Sequence, residues 1–93
     1  NIGETIRRLK EQGVFVYCAD MDGVSLRKNN LTGPIALVLG SEGSDVSQLV
    51  KKLCDGVVSL DMTAQGTGVD SFNVSVAAGI ILYEIQSQRA VQS

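Results

Sequence analysis

Ninety-three residues carrying a formal net charge of −2 make one domain or part of one, with a modest core. Hydrophobic residues supply 44% of the chain and charged residues 19%, which excludes a disordered polymer and fits a globular chain built on Leu, Ile and Val. The mild acidity gives no electrostatic support to nucleic-acid binding by the chain as a whole, and the basic pairs Arg7–Arg8, Arg27–Lys28 and Lys51–Lys52 read as solvated faces.

In chain order, Ile2, Ile6 and Leu9 recur at helical spacing between Ile2 and Gln12. Glu4 lies early, Arg7, Arg8 and Lys10 lie late, and Gly13 follows, so an amphipathic helix with dipole-matched charges and a glycine stop is predicted. The run VFVYCA, Val14 to Ala19, is apolar and rich in β-branched and aromatic residues, the pattern of a buried strand. Asp20 to Pro34 carries DMDG, KNN and TGP and is expected to be a polar, turn-rich connection. DMDG opens like a calcium loop but lacks the later ligands and the closing Glu, which leaves a turn as its reading.

IALVLG, Ile35 to Gly40, shows no alternation and is expected to be a central parallel strand covered on both faces. It ends in GSEG, Gly40 to Gly43. The following helix is predicted to bury Val46, Leu49, Val50, Leu53 and Cys54 on one face, with Asp45 at its start and Gly56 as its stop. VVSL, Val57 to Leu60, is the third strand, and Asp61 to Asp70 a loop with two glycines. SFNVSVAAGIILYE, Ser71 to Glu84, is then a helix with Val74, Ala77, Ala78, Ile81, Leu82 and Ile85 on one face and Val76, Ile80 and Tyr83 on a second apolar stripe, a pattern expected to be buried on several sides. The order predicts an α/β fold, a parallel sheet with flanking helices.

Cys18 and Cys54 lie far apart in a chain without His, which argues against zinc and against nucleophile–histidine pairs. Buried, reduced thiols and no metal are expected. No apolar run is long enough to cross a membrane and the N-terminus has no signal-peptide core, so a cytoplasmic protein with no membrane partner is the expectation. The chain begins at Asn1 rather than Met, which is what a fragment would show.

Two glycine-bearing turns, GSEG and TAQGTGVDSFN, follow the second and third strands and would both lie at the carboxyl edge of the sheet, where open α/β sheets bind ligands. Spacing alone points to a nucleotide-sized ligand. Neither GxGxxG nor a P-loop Lys-Ser/Thr is present. Ser71 and Asn73 fit a polar ligand site at a helix start, and they equally fit N-caps of a core helix.

IALVLGSEG (Ile35 to Gly43), LVKKLCD (Leu49 to Asp55) and SFNVSVAAGIILYE (Ser71 to Glu84) resemble the second and third motifs of the SpoU/TrmH methyltransferases of the SPOUT superfamily. The resemblance covers most of Gly33 to Glu84. It implies a trefoil α/β knot and transfer of methyl from S-adenosylmethionine to a ribose 2′-hydroxyl of rRNA or tRNA by a homodimer. By motif, Leu39, Gly40, Glu42, Gly43, Leu60, Met62, Ser71, Asn73 and Ser75 would bind the cofactor, and Ser71 and Asn73 would also serve catalysis. The family's first-motif arginine has no match, so residues 1–93 are expected to be the C-terminal, cofactor-binding part of the catalytic domain, with Arg7 and Arg8 unassigned. Asp45 stands where the family usually has Gly, Asp61 where it usually has Pro, and the loop from Met62 to Val69 is longer. These departures support the alternative of a non-catalytic binding or dimerisation module that has lost the cofactor site.

Overall fold

The structure, a computed structural model, describes residues 1–40, 46–60 and 74–92. Helix α1 (Ile2–Glu11) leads into strand β1 (Phe15–Ser25), and a short 3-10 turn (Leu26–Lys28) into β2 (Ile35–Val38). Helix α2 (Gln48–Leu53), β3 (Gly56–Ser59) and helix α3 (Val74–Gln92) follow. The strands form a three-stranded parallel sheet of order β2-β1-β3, the expected parallel α/β arrangement. The expected knot depends on the path of residues 61–73, which lie outside the described residues.

Local chemistry explains α1. The Asn1 side chain accepts from the backbone N–H of Gly3 (2.9 Å) and Glu4 (3.3 Å), satisfying two of the orphan donors of the first turn. Gly13, at φ 86°, supplies the left-handed residue that ends it. Of the apolar stripe, Ile6 is buried while Ile2 is 53% exposed.

β1, rather than the Ile35 to Gly40 run, is the middle strand among the described residues. β2 stops at Val38, pairs with β1, and is half-buried along its length. The expected connection from Asp20 begins later than sequence suggests, because β1 continues to Ser25. Ala19 and Val24 both face Val58, so residues 20–23 form an excursion from the ladder. Turn-type residues accordingly sit inside a strand. Gly23 is required there: a Cβ would lie 2.6 Å from the Val57 carbonyl oxygen.

α2 is shorter than expected. Ser47 caps it, its hydroxyl accepting from Val50 N–H at 3.2 Å. Val46 is buried ahead of the helix, whereas Leu49, assigned to the buried face, is 69% exposed. Cys54 ends the helix and Gly56 opens β3 instead of acting as a stop. The glycine answers a different need, since a Cβ at Gly56 would meet the Tyr17 ring at 2.8 Å.

The core joins Leu26, Leu31, Val58, Ile81 and Ile85, with Tyr17, Ala19, Ile35, Leu37, Leu39 and Leu60 packed against it. α3 extends past Glu84 to Gln92 and buries Ile81 and Ile85. The second stripe is not buried within the single chain: Val76 is 50%, Ile80 39% and Tyr83 74% exposed, as is Leu82 at 58%.

Asp55 fastens β3 to β1. Its Oδ2 accepts from Val16 N–H at 2.7 Å while its own N–H donates to Val16 O at 2.7 Å. Lys10 Nζ lies 3.8 Å from Asp55 Oδ1 and donates to Leu53 O at 3.0 Å, tying α1 to the same point. Val16 is fully buried. Asp55→Ala is therefore expected to cost about 1–3 kcal/mol in urea unfolding, by leaving a buried N–H without its acceptor.

Candidate functional site

The strands are parallel, so their carboxyl ends share one edge. Leu39 and Gly40 follow directly on β2, and Leu60 on β3. Leu39 and Leu60 both pack against the core that Ile81 and Ile85 of α3 share. α3 runs back across the sheet, because Leu26, just past the end of β1, packs in the cluster with Ile81 and Ile85, while Leu31 and Gly33, just before β2, bond Gln88 and Arg89. Its first turn, with exposed Ser75, is thereby directed toward the carboxyl edge. Of the residues singled out by sequence, Leu39, Gly40, Leu60 and Ser75 are thus placed. Glu42, Gly43, Met62, Ser71 and Asn73 lie outside the described residues.

The described part of this edge combines apolar and polar surface. Leu39 and Leu60 offer half-buried apolar surface beside strand ends, where backbone polar groups leave the ladder. Such surface suits a purine face, and the Ser75 hydroxyl adds a polar group at the helix start.

A second grouping escaped the sequence reading. Asp20, in the excursion of β1, forms an ion pair with Lys51 of α2, and both side chains are largely buried, at 9% and 14% exposure. Sequence had treated Asp20 as a turn residue and Lys51 as part of a solvated face. Beside this pair lie the thiols of Cys18 and Cys54, close enough to influence each other's titration. Cys18 is fully buried and Cys54 partly so. No local signal could have joined residues so far apart in sequence.

Burial pushes the Cys18 thiol up from its ordinary value; the Cys54 hydrogen bond and Lys51 oppose this, and Asp20 adds to it. Cys54 is pushed up to about 12, by burial first and then by Cys18 and Asp55. Both cysteines are therefore neutral thiols at physiological pH, and poor nucleophiles. Among the described residues, no group of three His, Cys, Asp or Glu side chains is placed to hold a metal ion. No described helix is long and apolar enough to cross a membrane.

These features define a class: a parallel α/β domain whose strand ends share one edge, with a long helix returning across the sheet. The chain belongs to the SpoU rRNA Methylase family, whose sequence model matches residues 1–83. It is 41% identical over 92 residues to the 23S rRNA (guanosine-2′-O-)-methyltransferase RlmB of Ralstonia nicotianae, an alignment covering 98% of this chain and 36% of that protein. The TrmH/SpoU tRNA modifying enzyme of A. aeolicus superposes with a TM-score of 0.84 at 32% identity, over 99% of this chain and 46% of that one. The SpoU methyltransferase AviRb from Streptomyces viridochromogenes, solved in complex with the cofactor AdoMet, gives a TM-score of 0.83 at 27% identity, over 98% of this chain and 37% of that one. The chain thus spans about a third of the length of the RlmB relative it matches.

Raised thiol pKa values set a sign for the pH dependence. From about pH 9 to 12 the unfolded chain loses thiol protons that the folded chain retains, so stability falls as pH rises through that window. Below it the contribution is constant. Urea midpoints measured from pH 8 to pH 11 are expected to decline less steeply in a Cys54→Ala variant, and native-state alkylation at pH 8 to be much slower than in urea.

Proposed function

We propose that this chain is the C-terminal, cofactor-binding part of an S-adenosylmethionine-dependent methyltransferase acting on a ribose 2′-hydroxyl of rRNA or tRNA. The observation that carries this reading is the placement of Leu39, Gly40 and Leu60 at the carboxyl edge of a parallel sheet, with the first turn of α3 directed toward the same edge, in a chain of the SpoU family. The relatives' named activity on 23S rRNA and the AdoMet complex of AviRb support it.

In this reading Leu39 and Leu60 flank the adenine, and backbone from Gly40 through Glu42 and Gly43, together with Met62, completes the cradle. Ser71, Asn73 and Ser75 supply the polar contacts, with Ser71 and Asn73 orienting the attacking ribose hydroxyl. Bound cofactor supplies an electrophilic methyl group on a sulfonium. The protein's task is to hold the nucleophilic oxygen in line with that methyl and to let the hydroxyl proton leave, so positioning carries much of the rate. A first-motif arginine belongs to the part of the longer protein that precedes these residues. The trefoil knot would be formed by passage of the segment after β3, and the neutral thiols suit a cytoplasmic, reducing setting.

Calorimetric titration tests the reading. The expected outcome is binding of S-adenosylmethionine and S-adenosylhomocysteine, with ATP much weaker, and little RNA methylation by residues 1–93 alone. A folded sample that takes up neither sulfur compound overturns it in favour of a non-catalytic module, the direction in which Asp45 and Asp61 point.

The chain also acts as a homodimer in this proposal. Val76, Ile80 and Tyr83 recur at helical spacing with Leu82 beside them, leaving an apolar stripe that a second copy would cover. Tyr83→Glu is expected to shift sedimentation from dimer to monomer. A wild-type monomer at tens of micromolar would remove the dimer from the proposal.

A further inference from the structure

Segment 29–33, between the 3-10 turn and β2, carries backbone groups that no strand satisfies. Gln88 of α3 satisfies two of them. Its Oε1 accepts from Leu31 N–H at 2.8 Å, and its Nε2 donates to Asn29 O at 3.0 Å and to Glu84 Oε2 at 2.9 Å. The carboxamide therefore bonds the C=O and N–H on either side of residue 30, the same two groups a neighbouring strand would bond in a parallel ladder. At the next residue of the helix, Arg89 Nη2 donates to Gly33 O at 2.7 Å. The segment is itself anchored, since Asn29 Nδ2 donates to Ser25 O at 3.0 Å at the end of β1 and Leu31 is buried in the core.

Apolar packing alone leaves a helix loosely defined along its axis, because Ile81 and Ile85 can exchange neighbours at modest cost. Directional bonds to a fixed backbone do not permit such a slide. We propose that Gln88, held by Glu84 and assisted by Arg89, is a positioning residue that sets the axial height of α3 and hence how far its first turn, with Ser75, reaches toward the carboxyl edge where Leu39 and Gly40 lie. Its consequence for ligand binding rests on the cofactor reading above; the positioning itself does not. Gln88 lies about 20 Å along the helix from Ser75, so its effect on the site acts through α3 and not by contact.

The chemistry predicts which replacements fail. Gln88→Met keeps length but leaves Leu31 N–H and Asn29 O unpaired. Gln88→Glu keeps the acceptor for Leu31, loses both donors, and places a second carboxylate beside Glu84. Combining it with Glu84→Gln restores the bond within the helix and relieves the like-charge contact, so partial rescue is expected.

Hydrogen exchange on the full chain decides the matter without any ligand. In Gln88→Met, amides of segment 29–33 and of residues 75–81 are expected to exchange about tenfold faster or more, the loss of a hydrogen bond to a buried partner, while β1 and β3 stay protected. Arg89→Ala, which removes the Gly33 bond from an exposed side chain, is expected to give the same pattern more weakly, and it serves if Gln88→Met does not fold. Acceleration confined to 29–33 and 86–92 would overturn the proposal, as would uniform acceleration of every element in both variants. Where wild-type protein binds S-adenosylmethionine, Gln88→Met is expected to bind about tenfold more weakly, and unchanged affinity would count against the proposal. Failure of wild-type binding would sink the cofactor reading and leave the exchange pattern to decide the positioning role.

Discussion

The register of β3 against β1 governs the fold, and a single carboxylate fixes it. Asp55 and Val16 exchange hydrogen bonds just before the paired residues Tyr17 and Gly56. With that start point held, Val58 faces the core and Gly56 lies under the Tyr17 ring. A slip of one residue would turn Val58 outward and drive a side chain into the ring. Lys10 joins the same carboxylate, so α1 is located by the interaction that locates the sheet.

Much of this architecture is legible in the sequence where its cause is local. Glu4, the later Arg7, Arg8 and Lys10, and Gly13 announce α1 because dipole-matched charges and a left-handed stop act within a few residues, whereas the Asn1 cap emerges only in the structure. VFVYCA and VVSL announce strands because β-branched side chains suit a pleated, buried surface. The middle position of β1 was not legible, since strand order comes from pairings over long separations. Nor was the extension of β1 through DMDG, whose turn-forming residues are outweighed by Val24 re-pairing with Val58. Leu49 fitted a helical stripe, but α2 is too short to bury all of it.

The candidate site divides in the same way. Leu39, Gly40 and Leu60 were assigned through the resemblance to the SpoU/TrmH motifs, Gly40 also opening a glycine-bearing turn after an apolar run, and the sheet brings them to one edge. The contacts that organise its surroundings were invisible: Asp20 with Lys51, Cys18 with Cys54, and Gln88 with segment 29–31 each join elements distant in sequence. Gln88 lies beyond the Ser71 to Glu84 stretch in which the sequence pattern announced a helix. Nothing about a glutamine in isolation reveals that its amide substitutes for a strand.

The excursion in β1 has an evolutionary consequence. Because Ala19 and Val24 both stand opposite Val58, the ladder closes over residues 20–23 without consuming any partner residue. The flanking halves of the strand keep their facing whatever number of residues lies between them. Changes of chain length, which elsewhere in a strand would invert every side chain beyond them, are absorbed here without a frame penalty. Gly23 and Asp20 bracket the tolerance, one through its approach to Val57 and the other through its ion pair. Between them lies a place where descendants of this sequence can gain or lose residues and still fold.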